Sequence, residues 1–233
     1  MTVPTTTAST PAARSALTLH VLGSDDVLHL RTYRAIVAGY TGRDEQAVRA
    51  HIDELAEIGV PAPPEIPMFY SIDADLVTTD PVVQVAGDNT SGEVEPVLVR
   101  AAGAWYLGVG SDHTDRTLET VDIAASKRAC PKPVSADVVP VAAWEDLEWD
   151  DIRARSSVDG AAYQDGRLSG LRTPGDLLRR LTDRVGDDGG DLVCFGGTLT
   201  LLNGTFVAGR EWQVSLALPD GRTISHSYDV HEG

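Results

Sequence analysis

Residues 93–109 place the strongest constraint on the fold. Val97-Leu98-Val99 is an apolar run, Arg100-Ala101-Ala102-Gly103 is turn-like, and Trp105-Tyr106-Leu107-Gly108-Val109 is a second apolar run. Two such runs across a short turn read as an antiparallel hairpin. Just before it, Glu93 and Glu95 are separated by one residue. A strand therefore projects both carboxylates from one face and Val94 from the other. With the turn near Ala101 and Ala102, the return strand ends opposite the two glutamates, and Asp112 lies just past that end. Three converging carboxylates suit a hard divalent cation. Without one, like charges so close raise one another's pKa.

The chain has 233 residues, enough for one sizeable domain with a small appendage. Its formal net charge is -16, with no basic cluster, which argues against nucleic-acid and anionic-membrane partners. Most of that acidity reads as solvated surface. No run of 18 apolar residues occurs, so no membrane span is expected. Cys130 and Cys194 form no CxxC pair, and a reducing cytoplasm is the expected location.

The pattern along the chain predicts three parts. Residues 1–15, dominated by Thr, Ala and Pro, read as a disordered tail. Residues 16–65 read as a small N-terminal α/β part, with strands at Leu17–Leu22, Val27–Leu30 and Thr32–Tyr40 and a helix from Asp44 to Ile58. Asp44 caps that helix, and Gly59 and Pro61 stop it. His51 and Glu54 are three residues apart on it. They read either as an exposed pair or as an acid/base pair on a mobile lid. An extended linker, residues 61–67, leads into the main part, residues 66–233.

In that main part, residues 110–128 read as a functional loop with one short helix. Trp144–Ile152 reads as a surface segment with apolar anchors, and Ile152–Ser157 as a strand. Asp165-Gly166 reads as a hairpin turn. Thr173, Pro174 and Asp176 start a second helix with Leu177, Leu178, Leu181 and Val185 on its buried face. Asp191–Phe195 is a short apolar strand entering Gly196-Gly197-Thr198, and the C-terminal segment is all β. Strands outnumber helices, so the fold class expected is a β-dominated α+β protein with peripheral helices.

The order of these motifs resembles the fumarylacetoacetate hydrolase superfamily, and more closely a bacterial branch of undefined function. Glu93-Val94-Glu95 is similar to its Glu-x-Glu metal motif, and Asp112-His113-Thr114-Asp115-Arg116 to its Asp-x-(Ser/Thr)-x-Arg segment. Lys127 precedes Cys130-Pro131 as the family's lysine precedes Cys-Pro-x-Gly-Pro. Leu192–Thr198 looks like the strand leading into its Gly-Thr-Pro. The resemblance spans roughly Ile66 to Val230, with departures at Thr117, at Lys132-Pro133 and at Leu199-Thr200-Leu201.

The resemblance implies a mixed β-roll, a homodimer, and one divalent cation per subunit, Mg or Mn, with Ca also compatible. It implies Glu93, Glu95 and Asp112 as metal ligands, and Lys127, His51 and Glu54 as catalytic residues. Thr198, Arg116 and Gly197 would contact a small keto-acid substrate. The function it implies is a metal-dependent hydrolase cleaving a C–C or similar bond in a small 2-oxo or 1,3-dicarbonyl carboxylate through an enolate. Alternatives are a decarboxylase or isomerase of a 2-keto acid, or a non-catalytic dimer binding metal and a small molecule. Lys132 would add an anionic contact at the pocket edge.

Other residues keep two readings at this stage. His113 is a ligand or a loop residue, and Cys130 a nucleophile or a packing residue. Asp115 and Arg116 form a structural ion pair or line the site. Cys194 reads as core, and His226 and His231 as incidental.

Overall fold

The computed structural model describes residues 16–57 and 62–233, without the side chains at 51 and 54–57. The expected tail and the residues that would stop the first helix, Gly59 and Pro61, lie outside the described residues. In chain order the strands are β1 (Leu17–Val21), β2 (Val27–Leu30), β3 (Tyr33–Gly39), β4 (Met68–Ile72), β5 (Val77–Thr78), β6 (Val82–Val85), β7 (Thr90–Ser91), β8 (Val94–Ala101) and β9 (Ala104–Ser111). They continue with β10 (Thr114–Asp115), β11 (Lys132–Pro133), β12 (Asp137–Val141), β13 (Arg153–Val158), β14 (Ala161–Arg167), β15 (Asp191–Phe195), β16 (Glu211–Ala217) and β17 (Thr223–Glu232). The helices are α1 (Glu45–Glu57), α2 (Arg116–Glu119), α3 (Ile123–Arg128) and α4 (Pro174–Val185).

Eight strands form one sheet in the order β2-β1-β12-β9-β8-β15-β3-β4, and five form another in the order β14-β13-β16-β17-β6. Pairing is mixed: β1 runs parallel to β12, β15 to β3 and β17 to β6, and the other pairs within these two sheets are antiparallel. This is the β-dominated α+β architecture expected, and its strands at 17–39 join the same sheet as β8, β9 and β15.

The central hairpin explains its own composition. Leu98 faces one buried cluster with Ile152, Ala154, Val214 and Leu216, whereas Val97 and Val99 face another with Leu17, Leu19, Val138 and Val193. A strand alternates sides at every residue, so burial on both faces requires an unbroken apolar run. The same rule splits β15, with Leu192 and Cys194 on one side and Val193 and Phe195 on the other. The turn falls at Ala102-Gly103, both with positive φ (49° and 81°), which matches the twist of a two-residue hairpin.

Two local expectations are corrected. The hairpin turn lies at Asp159-Gly160, with Val158 opposite Ala161, and Asp165-Gly166 runs inside β14. Asp165 there pairs with Arg153 across the strands at 2.5 Å. On α4, Leu177 and Leu181 are buried but Val185 is exposed, because it stands at the last residue of the helix beside Gly186. Asp44 accepts from the Gln46 and Ala47 N–H groups (2.9 and 3.1 Å), and Thr173 accepts from Asp176 N–H at 3.4 Å, as helix caps do. Among the described residues no helix is long and apolar enough to cross a membrane.

Candidate functional site

The hairpin delivers its acids to one end. Val94 pairs with Ser111, and Asp112 N–H donates to the Glu93 carbonyl at 3.0 Å. Glu93 and Asp112 are thus neighbours across the open end, and Glu95 follows one strand repeat inward. Asp112 is fully buried and Glu95 is buried. The chain after Asp112 forms β10 and then α2, which Asp115 caps by accepting from Leu118 N–H at 2.9 Å. That places Arg116 against the hairpin: it pairs with Glu93 at 3.1 Å and Glu119 at 2.8 Å, and donates to Ser91 Oγ at 2.6 Å. Asp115 and Arg116 are therefore a cap and a carboxylate clamp, not an ion pair with each other.

Lys127 sits in the last turn of α3 and donates to Asp112 Oδ2. Lys132, on β11, donates to the His113 carbonyl and lies 3.2 Å from Asp112 Oδ1. It is fully buried, so it faces Asp112 from behind and is not an anionic contact at a pocket rim. Sequence context placed it beside the pocket; the pairing of Lys132 with Val77 turns it inward.

The charges shape one another. Burial would raise Asp112, but Lys127 and Lys132 outweigh it and hold the carboxyl well below the usual range. Burial would lower Lys127, but Asp112, Glu93 and Glu95 together push it upward. Burial pushes Glu95 well above the ordinary carboxylate range, Asp112 adds to this, and Lys127 and the Gly197 N–H oppose it. Glu93 is raised by burial against the pull of Arg116 and Lys127. Burial also lowers Lys132, with Asp112 opposing.

The turn after β15 is latched to the same strand. Gly196 N–H donates to the Pro96 carbonyl (2.9 Å), Gly197 N–H to Glu95 Oε2 (2.8 Å), and Thr198 Oγ1 to the Val94 carbonyl (2.9 Å). Gln164 completes the latch. Its Nε2 donates to Thr198 Oγ1 (2.8 Å) and the Leu199 carbonyl (2.7 Å), and its Oε1 accepts from Val94 N–H and Ser156 Oγ, each at 2.8 Å.

Glu93, Glu95, Asp112, Lys127, Arg116, Gly197 and Thr198 are thus brought into one cluster. The side chains of His51 and Glu54 lie outside the described residues, although both positions fall on α1. Sequence reasoning missed Gln164, Tyr40, Tyr70 and Phe206. The Tyr70 ring lies 5.8 Å from Lys127 Nζ, Tyr40 interacts electrostatically with Lys127 from a positive φ of 56°, and the Phe206 ring lies 3.7 Å from the Arg116 guanidinium. None of the four is marked by a local pattern in the sequence.

His113 is fully buried and not part of an exposed loop. Its ring hydrogen-bonds with Tyr228 Oη (3.0 Å) and Thr90 Oγ1 (2.9 Å), and burial first, then Lys132 and Arg116, lower its pKa to about 3. Cys130 is buried and its thiol is pushed up to about 11, which suits packing and not a nucleophile. Cys194 is core, as expected, and His226 and His231 lie on β17.

The donor chemistry fits a hard dication, because Glu93, Glu95 and Asp112 supply only carboxylate oxygens. Among the described residues, however, no three acidic, His or Cys side chains stand arranged as a ready cation cage. Both Asp112 oxygens are already engaged by ammonium groups. A separate surface cleft of about 570 Å³, lined by Trp144, Trp149, Glu148 and Asp176, shares no residue with this cluster.

A family model described as "Protein of unknown function (DUF2848)" matches residues 38–228. No curated protein matches the sequence. Among solved structures, the chain is similar to fumarylpyruvate hydrolase from Pseudomonas aeruginosa in complex with Mn2+ and pyruvate, at 20% identity and TM-score 0.64, covering 98% of this chain and 100% of that one. It is also similar to 5-carboxymethyl-2-hydroxymuconate delta-isomerase from Mycobacterium smegmatis, at 16% identity and TM-score 0.59, covering 98% and 86%. A third likeness is to 2-keto-3-deoxy-D-arabinonate dehydratase in its apo form, at 12% identity and TM-score 0.58, covering 90% and 78%. These likenesses establish the fold, that of fumarylacetoacetate hydrolase-type enzymes. The fold carries a hydrolase, an isomerase and a dehydratase, so it does not by itself choose a reaction.

Proposed function

The chain belongs to the family described as "Protein of unknown function (DUF2848)", which prescribes no reaction, and from its site we propose that it is a metal-dependent hydrolase of a small 2-oxo or 1,3-dicarbonyl carboxylate, cleaving a C–C or similar bond. The observation that carries this reading is the burial of Lys127 among the carboxylates of Glu93, Glu95 and Asp112. Glu93, Glu95 and Asp112 would hold a divalent cation, Mg or Mn. When bound, such a cation supplies Lewis-acid polarisation of a carbonyl group. The Mn2+ and pyruvate in one structural neighbour support both choices.

The chain's own residues divide the remaining work. Lys127 holds the substrate carboxylate or the negative charge that develops when the bond beside a carbonyl breaks. Thr198 contacts the carboxylate by turning its hydroxyl hydrogen away from the Val94 carbonyl, while Gln164 holds the oxygen in place. Arg116 serves by holding Glu93, and Gly197 by holding Glu95. His51, oriented by Glu54, takes the proton from the attacking water. The protein acts as a homodimer, as the resemblance implies.

The alternative is a decarboxylase or isomerase on the same scaffold, favoured by the isomerase and dehydratase among the structural neighbours. Neither reaction needs an activated water. Purified protein with Mn2+ is assayed against acylpyruvates, oxaloacetate and dienoate keto acids, with and without His51→Ala. Acylpyruvate cleavage lost in His51→Ala supports the hydrolase, and oxaloacetate turnover that survives it supports the alternative. Absence of turnover on the whole panel overturns both.

A further inference from the structure

Asp112 is held by two cations at once. Its Oδ2 accepts from the Lys127 ammonium, and its Oδ1 lies 3.2 Å from the Lys132 ammonium and 3.3 Å from Thr114 Oγ1. Lys127 also feels the charges of Glu93 and Glu95. An ammonium group therefore already occupies the place among the carboxylates that suits a cation. The formal count is four carboxylates, Glu93, Glu95, Asp112 and Glu119, against three cations, Arg116, Lys127 and Lys132. A dication on Asp112 Oδ2 would stand beside the ammonium that the same oxygen already holds, and two cations so close would repel strongly with little water between them.

The two lysines are not equivalent. Lys132 is a member of β11, fully buried, and also bound to the His113 carbonyl, so it is fixed. Lys127 is at the end of the short helix α3, and the Tyr70 ring lies 5.8 Å from its Nζ. That ring face is within cation–π range and offers the ammonium a second resting place.

We propose that Lys127 and a divalent cation are alternative occupants of Asp112: metal entry releases the Lys127 ammonium toward Tyr70, and only the released ammonium is free to take the carboxylate of a 2-oxo acid. This rests on the metal-dependent reading above and adds an order to it. The cation binds first and weakly, because it displaces an ion pair. The acid binds second, because its ammonium partner is otherwise engaged.

Calorimetry on the purified full chain, stripped with a chelator, tests this with Mn2+ alone and then with pyruvate. Lys127→Met is expected to bind Mn2+ at least tenfold more tightly than the native chain, while its Mn2+ form binds pyruvate at least tenfold more weakly. Lys127→Arg, which keeps a cation and guards against misfolding of the first variant, is expected to bind Mn2+ no more tightly than the native chain. Equal Mn2+ affinity in native protein and Lys127→Met overturns the exchange while leaving the metal-dependent reading standing. Tight pyruvate binding by the native chain without Mn2+ overturns the order. Failure of all three proteins to bind Mn2+ overturns the exchange and the metal-dependent reading together.

Discussion

Gly197 donates its backbone N–H to Glu95 Oε2 at 2.8 Å across 102 residues of sequence, and no other residue type fits where it stands. Its φ is +95°, and a Cβ added there would fall 1.7 Å from Thr41 Oγ1 and 2.8 Å from Thr41 Cβ. Both the backbone conformation and the space exclude a side chain. Gly197→Ala is expected to lower the unfolding free energy by roughly 2–4 kcal/mol, from strain and displacement of the buried Thr41. It also withdraws the N–H from Glu95. Urea denaturation measures the first effect, and a variant as stable as the native chain would refute the packing argument.

Gln164 makes a second prediction, because its amide is satisfied at every position used. Replacement by Leu keeps the volume but leaves Val94 N–H, Ser156 Oγ and the Leu199 carbonyl without their partner. Unpaired buried polar groups cost about 1–3 kcal/mol each before relaxation. Gln164→Leu is expected to lose about 2–4 kcal/mol and to loosen the Thr198 hydroxyl. Chemical denaturation gives the loss, and amide exchange at Val94 gives the loosening. Unchanged protection of Val94 would contradict the latch.

These two residues mark the boundary of what sequence can show. The hairpin, the capped helices and the same-face placement of Glu93 and Glu95 follow from periodicity and caps, which act over a few residues. The Gln164 latch joins strands 70 residues apart, and no local pattern encodes it. The two Asp-Gly dipeptides make the point most sharply. Asp159-Gly160 and Asp165-Gly166 have the same turn chemistry, yet only the first turns. The choice is made by β13, which pairs residue for residue with β16 from Arg153 to Val158 and so fixes where its other partner begins. Lys132 turns inward for a related reason: whether a lysine faces solvent or a buried aspartate depends on tertiary pairing, not on its neighbours in sequence.

Asp176 should make the fold acid-sensitive. It is partly buried and accepts from Arg172 (2.9 Å), Arg179 (2.5 Å) and Arg180 (2.9 Å) at the start of α4. Burial would raise its pKa, but the hydrogen bonds from Arg172 and Arg180 outweigh it and lower the folded-state value. A carboxylate with a depressed folded pKa stabilises above its unfolded value, about 3.9, and loses that contribution as pH falls through the folded value. Asp176→Asn is expected to cost roughly 1–2 kcal/mol at neutral pH. The gap between the two proteins should close below about pH 4. Thermal melts from pH 3 to 7 check this, and a gap that widens on acidification would reverse the sign argued.

Glu95 should behave in the opposite sense. Its pKa is raised by burial and by the charge of Asp112, so the folded chain holds the proton more tightly than the unfolded chain does. The ionised form is then a burden that grows as pH rises above the unfolded value, about 4.3. Glu95→Gln keeps the shape and an oxygen for the Gly197 N–H but removes the charge. The variant is expected to be more stable than the native chain at neutral pH by roughly 1 kcal/mol, the gain typical when a strained functional group is relieved. That advantage should vanish below about pH 4. The same substitution removes one of the three proposed cation ligands, so Mn2+ binding should weaken at least tenfold while stability rises. Melting curves and Mn2+ titration on one preparation measure both quantities. A Glu95→Gln protein that is less stable at pH 7, or that binds Mn2+ as the native chain does, would mean that Glu95 is kept for structure and not for a cation.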